Sequence, residues 1–126
     1  MNDRFRFRVW DKSFCRMIYN IFFFWKENTI TVYELHKDAS KSYLPNSHIV
    51  LEQCTGLKDK NGRLIYEGDI VEYTFYANRA LYGNYGDYKY KGVIRRETNG
   101  FNTESYADKI EVIGNIHENP ELLEDK

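Results

Sequence analysis

Proline is nearly missing from this chain, with two residues in 126, and cysteine is equally scarce. With so little proline, most tight turns fall to Gly, Asn and Asp, which adopt or tolerate positive φ. The two cysteines, Cys15 and Cys54, show no CxxC spacing and no accompanying histidine pair. That excludes a disulfide scaffold and the usual zinc spacings, and leaves two reduced, partly buried thiols as the expectation. An excess of positive charge is lacking as well: 18 Lys and Arg face 19 Asp and Glu, for a net charge of −1. A dedicated duplex-DNA binder carries such an excess to displace counterions, so a local basic face is all that stays open. Long hydrophobic runs are also missing. The stretch from Met17 to Trp25 is nine residues and contains Asn20, far below the roughly 20 residues of a membrane-spanning helix. The start, "MNDRFRFRVW", has no apolar signal core. A soluble, cytoplasmic protein is expected.

Apolar residues are nonetheless plentiful at 42%, and aromatic ones reach 17%, with 11 Tyr, 8 Phe and 2 Trp. Such a chain has enough for one packed domain, burying roughly two thirds of its unfolded surface. Tyrosine in this number suits strands and half-wet surfaces, since its ring packs while its hydroxyl reaches water or a partner.

The pattern along the chain is that of strands. Arg4, Arg6 and Arg8 alternate with Phe5, Phe7 and Val9, predicting a strand with one apolar and one guanidinium face. After a turn at Asp11–Ser13, "RMIYNIFFFW" from Arg16 to Trp25 is too apolar to alternate and predicts a strand covered on both sides. "NTITVYEL" (Asn28 to Leu35) is a third strand, and "HKDASKSYLPNS" (His36 to Ser47) a connecting loop. A short strand from Ile49 to Cys54 ends at Thr55-Gly56. Beyond it, Asp59, Asn61 and Gly62 in "KDKNG" predict a type I′ turn, and Gly68-Asp69 a second turn. "DIVEYTFY" then alternates, with Val71, Tyr73 and Phe75 on one face. Ala77 to Gly92 predicts a long exposed hairpin, because glycine and asparagine interleave with tyrosine there. A strand "KGVIRRE", an Asn-Gly turn and a last strand from Ile110 to Ile116, with Gly114 inside it, complete the chain. No long 3.6-residue period occurs. The expected fold is mostly β with little helix: one domain over 1–126, with N-terminal strands over about 1–54 and small barrel-like, SH3-like strands over about 55–120.

Three blocks carry a resemblance: "FRFRVWD" near the start, "TGLKDKNGRLIYEGDIV" in the middle and "EVIGNIHENPELL" near the end. In this order they resemble the YopX-like family. His117 stands where an aromatic such as Tyr is common in that family. The resemblance implies a small, mostly β protein of bacteriophages and prophages with a barrel-like later portion, working in the bacterial host cytoplasm. It supplies no reaction and no catalytic residues, and it implies that members assemble as homo-oligomers.

Chemistry is sparse in the sequence. Asp59, Glu67 and Asp69 offer oxygen ligands for a divalent metal, and a metal-dependent nuclease is the third-ranked reading. Each of these acids lies beside a turn residue, where carboxylates cap nearby amides. The segment "GLKDKNG" lacks phosphate-loop order, and His36, His48 and His117 stand apart in sequence. No enzyme, cofactor or metal is expected. Binding fits better. Tyr82, Tyr85, Tyr88 and Tyr90 are candidates for contact with a protein partner or a second copy of the chain. Arg4, Arg6 and Arg8, spaced about 6.6–6.8 Å apart along a strand, are candidates for contact with phosphates, as are Lys89, Lys91 and Arg95. Single-stranded nucleic acid, stacked on the tyrosines, is accordingly the second-ranked ligand. Gly56, Asp59, Asn61, Gly62, Gly68, Asp69 and Gly114 are assigned to turns.

Overall fold

A computed structural model describes residues 6–76, 87–98, 100–102 and 109–124. The protein is mostly β, with a sheet curled into a half-barrel. Strands β1 (Phe7–Asp11), β2 (Arg16–Ile18), β3 (Ile21–Lys26), β4 (Thr29–Leu35), β5 (Lys41–Leu44) and β6 (Ile49–Lys58) form the first part. The second part holds β7 (Leu64–Tyr66), β8 (Asp69–Tyr76), β9 (Asp87–Val93), β10 (Arg96–Glu97), β11 (Gly100–Phe101) and β12 (Ile110–Asn115). They pair in the orders β2-β1-β6-β7, β3-β4-β5, β12-β8-β9 and β10-β11. Short 3-10 turns occur at Asn46–His48 and Pro120–Leu123.

Where the chain departs from its sequence pattern, a specific contact is responsible. The apolar run from Arg16 to Trp25 is not one strand covered on both sides. It breaks at Tyr19-Asn20 into β2 and β3. β3 lies at the edge of a three-stranded sheet, so Ile21 and Phe23 pack inward while Phe24 and Trp25 are 50% and 74% exposed. The hairpin between β3 and β4 turns on Glu27 and Asn28, with φ of 51° and 66°. Positive φ at both positions is the type I′ geometry. The turn at Asn61-Gly62 is a different one: Gly62 has φ 83°, whereas Asn61 is not among the positive-φ residues. The expected loop from His36 to Ser47 contains β5, which pairs along β4 and buries Leu44. β6 does not stop at Thr55-Gly56. It bulges there and continues to Lys58, with Gly56 at φ 85° and the buried Thr55 hydroxyl donating to the Ile65 carbonyl at 2.9 Å. Of the expected hairpin over Ala77 to Gly92, β9 supplies the return strand, in register with β8 from Tyr76↔Asp87 to Ile70↔Val93. Residues 77–86 lie outside the described ones.

Apolar side chains gather in two clusters. Val9, Ile18, Val32 and Leu44 are buried together under Ile21, Phe23, Ile30 and Ile49, and Phe7 meets Phe23 edge-on at 5.3 Å between ring centroids. Ile65, Val71, Ile94, Phe101, Ile110 and Val112 form the other cluster, flanked by Leu57 and Tyr73. At roughly 1.5–3 kcal/mol for each large aliphatic side chain removed from water, these clusters are the main driving force for the fold.

Candidate functional site

A buried charge cluster joins β1, β6 and the start of β8. Arg8 is 1% exposed, so it does not belong to an open guanidinium face, and its assignment as a phosphate contact is corrected. Its Nε donates to Glu52 Oε1 at 2.9 Å, its Nη1 lies 2.8 Å from Asp69 Oδ1, and its Nη2 donates to the Glu67 carbonyl at 3.2 Å. Its guanidinium also covers the Tyr66 ring at 4.8 Å. A buried cation needs this density of partners, because burial without them costs several kcal/mol.

Burial pulls the Arg8 guanidinium down, but Asp69 and Glu52 outweigh it and the net direction is up. For Asp69 the balance tips the other way: burial pushes its carboxyl above the usual carboxylate range, against the pull of Arg8 and of the Tyr66 amide. Local geometry explains the contrast. Oδ2 accepts the Tyr66 N–H at 2.8 Å, whereas buried Oδ1 touches Arg8 as an ion pair without an aligned hydrogen bond.

The C-terminal segment closes this cluster. Asn115 is buried; its Oδ1 accepts the amides of His117 and Glu118, and its Nδ2 donates to Glu118 Oε1. This capped turn, braced by Asn119 beneath Gly114, presents His117. The imidazole Nε2 lies 2.9 Å from Glu52 Oε2, and the ring stacks on Trp10 at 5.1 Å with planes 11° apart. Arg8 and Trp10 come from the first sequence block, Tyr66 and Asp69 from the second, and His117 from the third. The three blocks meet at one place.

The other acids are engaged separately. Asp59 is buried; Oδ1 accepts the amides of Asn61 and Arg63, and Oδ2 accepts the amide of Val112, each at 2.9 Å. Glu67 Oε1 accepts the Gln53 amide at 3.3 Å and lies 3.6 Å from Arg96. Among the described residues, no three His, Cys, Asp or Glu side chains gather as a metal would require. Cys15 is exposed and Cys54 buried. No helix among the described residues is long and apolar enough to cross a membrane.

The remaining candidates are scattered. Arg4, Tyr82 and Tyr85 lie outside the described residues, as does the side chain of Tyr88. Tyr90 is 60% exposed on β9. Lys89 and Lys91 share the other face of that strand, with Lys89 at 3.8 Å from Glu72. Exposed Arg95 follows the strand's end, its backbone held by Asn102. Arg6 is exposed just ahead of β1.

The sequence pattern did not reveal an aromatic outer face on the β3-β4-β5 sheet. Phe22, Phe24, Tyr33 and Tyr43 alternate with the inward residues. Phe22 stacks on Tyr33 at 5.4 Å, Phe24 meets both edge-on at 5.5 and 5.7 Å, and Tyr43 lies 5.8 Å from Tyr33. Lys41 Nζ sits 5.4 Å above Phe24 and 5.3 Å above Tyr33. Glu34 points to the opposite face and holds Arg16 through two hydrogen bonds.

Comparison with known proteins places the chain. The family model described as YopX protein matches residues 6–124. The chain belongs to the YopX family. Two solved structures are similar to it in fold. Protein EF1440 from Enterococcus faecalis is 29% identical, with a TM-score of 0.62 over 94% of this chain and 97% of that one. Protein yopX from Bacillus subtilis is 22% identical, with a TM-score of 0.58 over 98% of each chain, a likeness of fold. No curated protein matches the chain. Within the YopX family fold, the matched stretch takes in both apolar clusters and the charge cluster between β1, β6 and β8.

Proposed function

We propose that this YopX-family protein is a non-enzymatic accessory protein of a phage or prophage. It acts in the host cytoplasm as a binding module, with the outer face of β3-β4-β5 as its contact surface. The exposed aromatic network carries this reading: Phe24 and Tyr43 are 50% and 58% open, yet both are held by ring contacts. Rigid aromatic side chains lose little entropy on binding and dominate the energetics of protein interfaces. Lys41 stands over these rings, and no carboxylate shares its face among the described residues, so the complementary partner is a protein presenting apolar side chains beside an acid. The support from family resemblance extends to phage origin and small size, not to a reaction.

The test is affinity capture from phage-producing cells by the wild-type protein, by Phe24→Ala/Tyr43→Ala and by Lys41→Glu. One protein retained by the wild type and lost in both variants, with unchanged circular dichroism, is the expected result. Retention by both variants, or nothing retained, overturns it. A wild-type dimer that Phe24→Ala/Tyr43→Ala dissociates would instead make a second copy the occupant.

A further inference from the structure

Two clefts open on either side of the Tyr19–Tyr66 ring pair, whose centroids lie 5.7 Å apart in an edge-to-face arrangement. One, of about 480 Å³, combines an aromatic and aliphatic wall of Phe7, Ile21, Phe23 and Leu35 with the polar side chains of Arg6 and Asn20. The other, of about 530 Å³, is lined by Arg6, Arg8, Lys58 and Arg63, with no acidic side chain on its wall. Arg6 and both tyrosines border each cleft. Their volumes fall within the range of small-molecule sites.

The charges in the basic cleft are unequal. Arg8 is matched by Glu52 and Asp69. Lys58 and Arg63 are exposed and, among the described residues, form no ion pair. Between the clefts stands Tyr66, its ring covered by the Arg8 guanidinium and its edge bordering both clefts. Tyr19, 49% exposed, offers its ring beside it.

From this juxtaposition we infer that the paired clefts bind a nucleoside phosphate. The phosphoryl group lies against Lys58 and Arg63, and the base lies against Tyr19 and the apolar wall. A phosphate and a base one sugar apart match a basic half and an aromatic half separated by a single pair of rings. A bare anion would leave the Tyr19 ring and the wall of Phe7 and Phe23 without a contact, and a purely apolar ligand would make no use of the exposed Lys58 and Arg63. The ligand chemistry is shared by a free nucleotide and by the phosphorylated end of a single strand. The site is separate from the aromatic face of β3-β4-β5.

Fluorescence anisotropy tests this with 3′-labelled decathymidylate carrying either a 5′-phosphate or a 5′-hydroxyl, at low and at physiological salt. Thymidine 5′-phosphate and inorganic phosphate serve as competitors. The phosphorylated strand is expected to bind more tightly than the hydroxyl-ended one, with affinity falling as salt rises. Lys58→Ala and Arg63→Ala are each expected to weaken it by about tenfold, with Lys58→Arg retaining binding. Tyr19→Ala is expected to weaken the strand by about tenfold while leaving competition by inorganic phosphate unchanged. Competition by thymidine 5′-phosphate at the strand's own concentration identifies the free nucleotide as ligand; competition confined to phosphorylated strands identifies a strand end. Equal affinity for the two ends, indifference to both cation substitutions, or no binding at low salt overturns the inference. Phe24→Ala/Tyr43→Ala is expected to bind the phosphorylated strand as the wild type does, so loss of the partner-docking reading leaves this result standing.

Discussion

The Cα of Gly68 rests directly against the carboxylate of Glu52. A Cβ at position 68 would lie 2.8 Å from the Glu52 carboxyl carbon and closer still to Oε2. Gly68 also has φ 87°, and Gly62, at φ 83°, makes a natural control because nothing lies within 4 Å of its own added Cβ. Gly62→Ala should therefore cost about 1–2 kcal/mol for left-handed backbone alone. Gly68→Ala carries the same strain and also displaces Glu52 from Arg8, so a loss of about 3 kcal/mol or more is expected. Urea denaturation of the two variants checks this, and equal losses would show that Glu52 gives way freely.

Arg8→Leu removes the cation from between two buried carboxylates. A loss of about 3–5 kcal/mol is expected, because the acids are left uncompensated. Adding Glu52→Gln and Asp69→Asn to the same chain should recover part of that loss, since the stranded charges disappear with them. Chemical denaturation of the single and triple variants provides the comparison, and an unrecovered loss would assign the cost to packing instead.

Asp59 caps its own turn through the amides of Asn61 and Arg63 and ties it to β12 through the amide of Val112. Asp59→Ala should cost about 2–3 kcal/mol, given the strength of hydrogen bonds to a charged acceptor. Hydrogen exchange should quicken first at the amides of Arg63 and Val112, with Asp59→Asn intermediate. Unchanged exchange at Val112 would mean that the tether to β12 contributes nothing.

Acid sensitivity should come partly from Glu34. The hydrogen bond from Arg16 is the main cause that draws its carboxyl below its ordinary 4.5. A folded pKa below the unfolded one means that ionised Glu34 contributes stability above about pH 4.5, and the contribution fades as pH falls through the folded value. With Arg16 about half exposed, screening limits the effect to about 0.5 kcal/mol or less. Asp69 has the opposite sign, its upward shift favouring the folded state as it gains a proton. Melting temperatures of Glu34→Gln between pH 3 and 6, an interval set around that carboxylate range, should show a shallower acid decline than the wild type. A parallel decline would remove Glu34 from the account.

Local grammar made much of the fold legible. Asp59, Gly62 and Gly68 announce turns because a short carboxylate or a missing Cβ acts within a few residues, and alternation around Val71 marks β8. Long-range contacts were hidden. Period-two alternation puts Arg8 on a polar face, and its burial depends on Glu52, 44 residues away, and on Asp69 beyond it. Glu52 sits inside an apolar strand, a signal that an acid there needs a buried cation, but the sequence does not say which one. Trp10, Tyr66 and His117 were missed for the same reason: each gains its role from a partner in another block. The aromatic face escaped notice because an unbroken apolar run does not say which of its two sides meets the core.

The charge cluster straddles the seam between the two apolar clusters, with Arg8 and Glu52 contributed from one side and Asp69 and His117 from the other. Splitting the chain near residue 60, or grafting one half onto the opposite half of a relative, therefore parts Arg8 from Asp69 and Glu52 from His117, while Arg8 keeps Glu52. A chimaera inherits an arithmetic of signs as well as a shape. Mosaics whose donor halves mismatch at this seam should reach the insoluble fraction, and those that conserve the sum should fold.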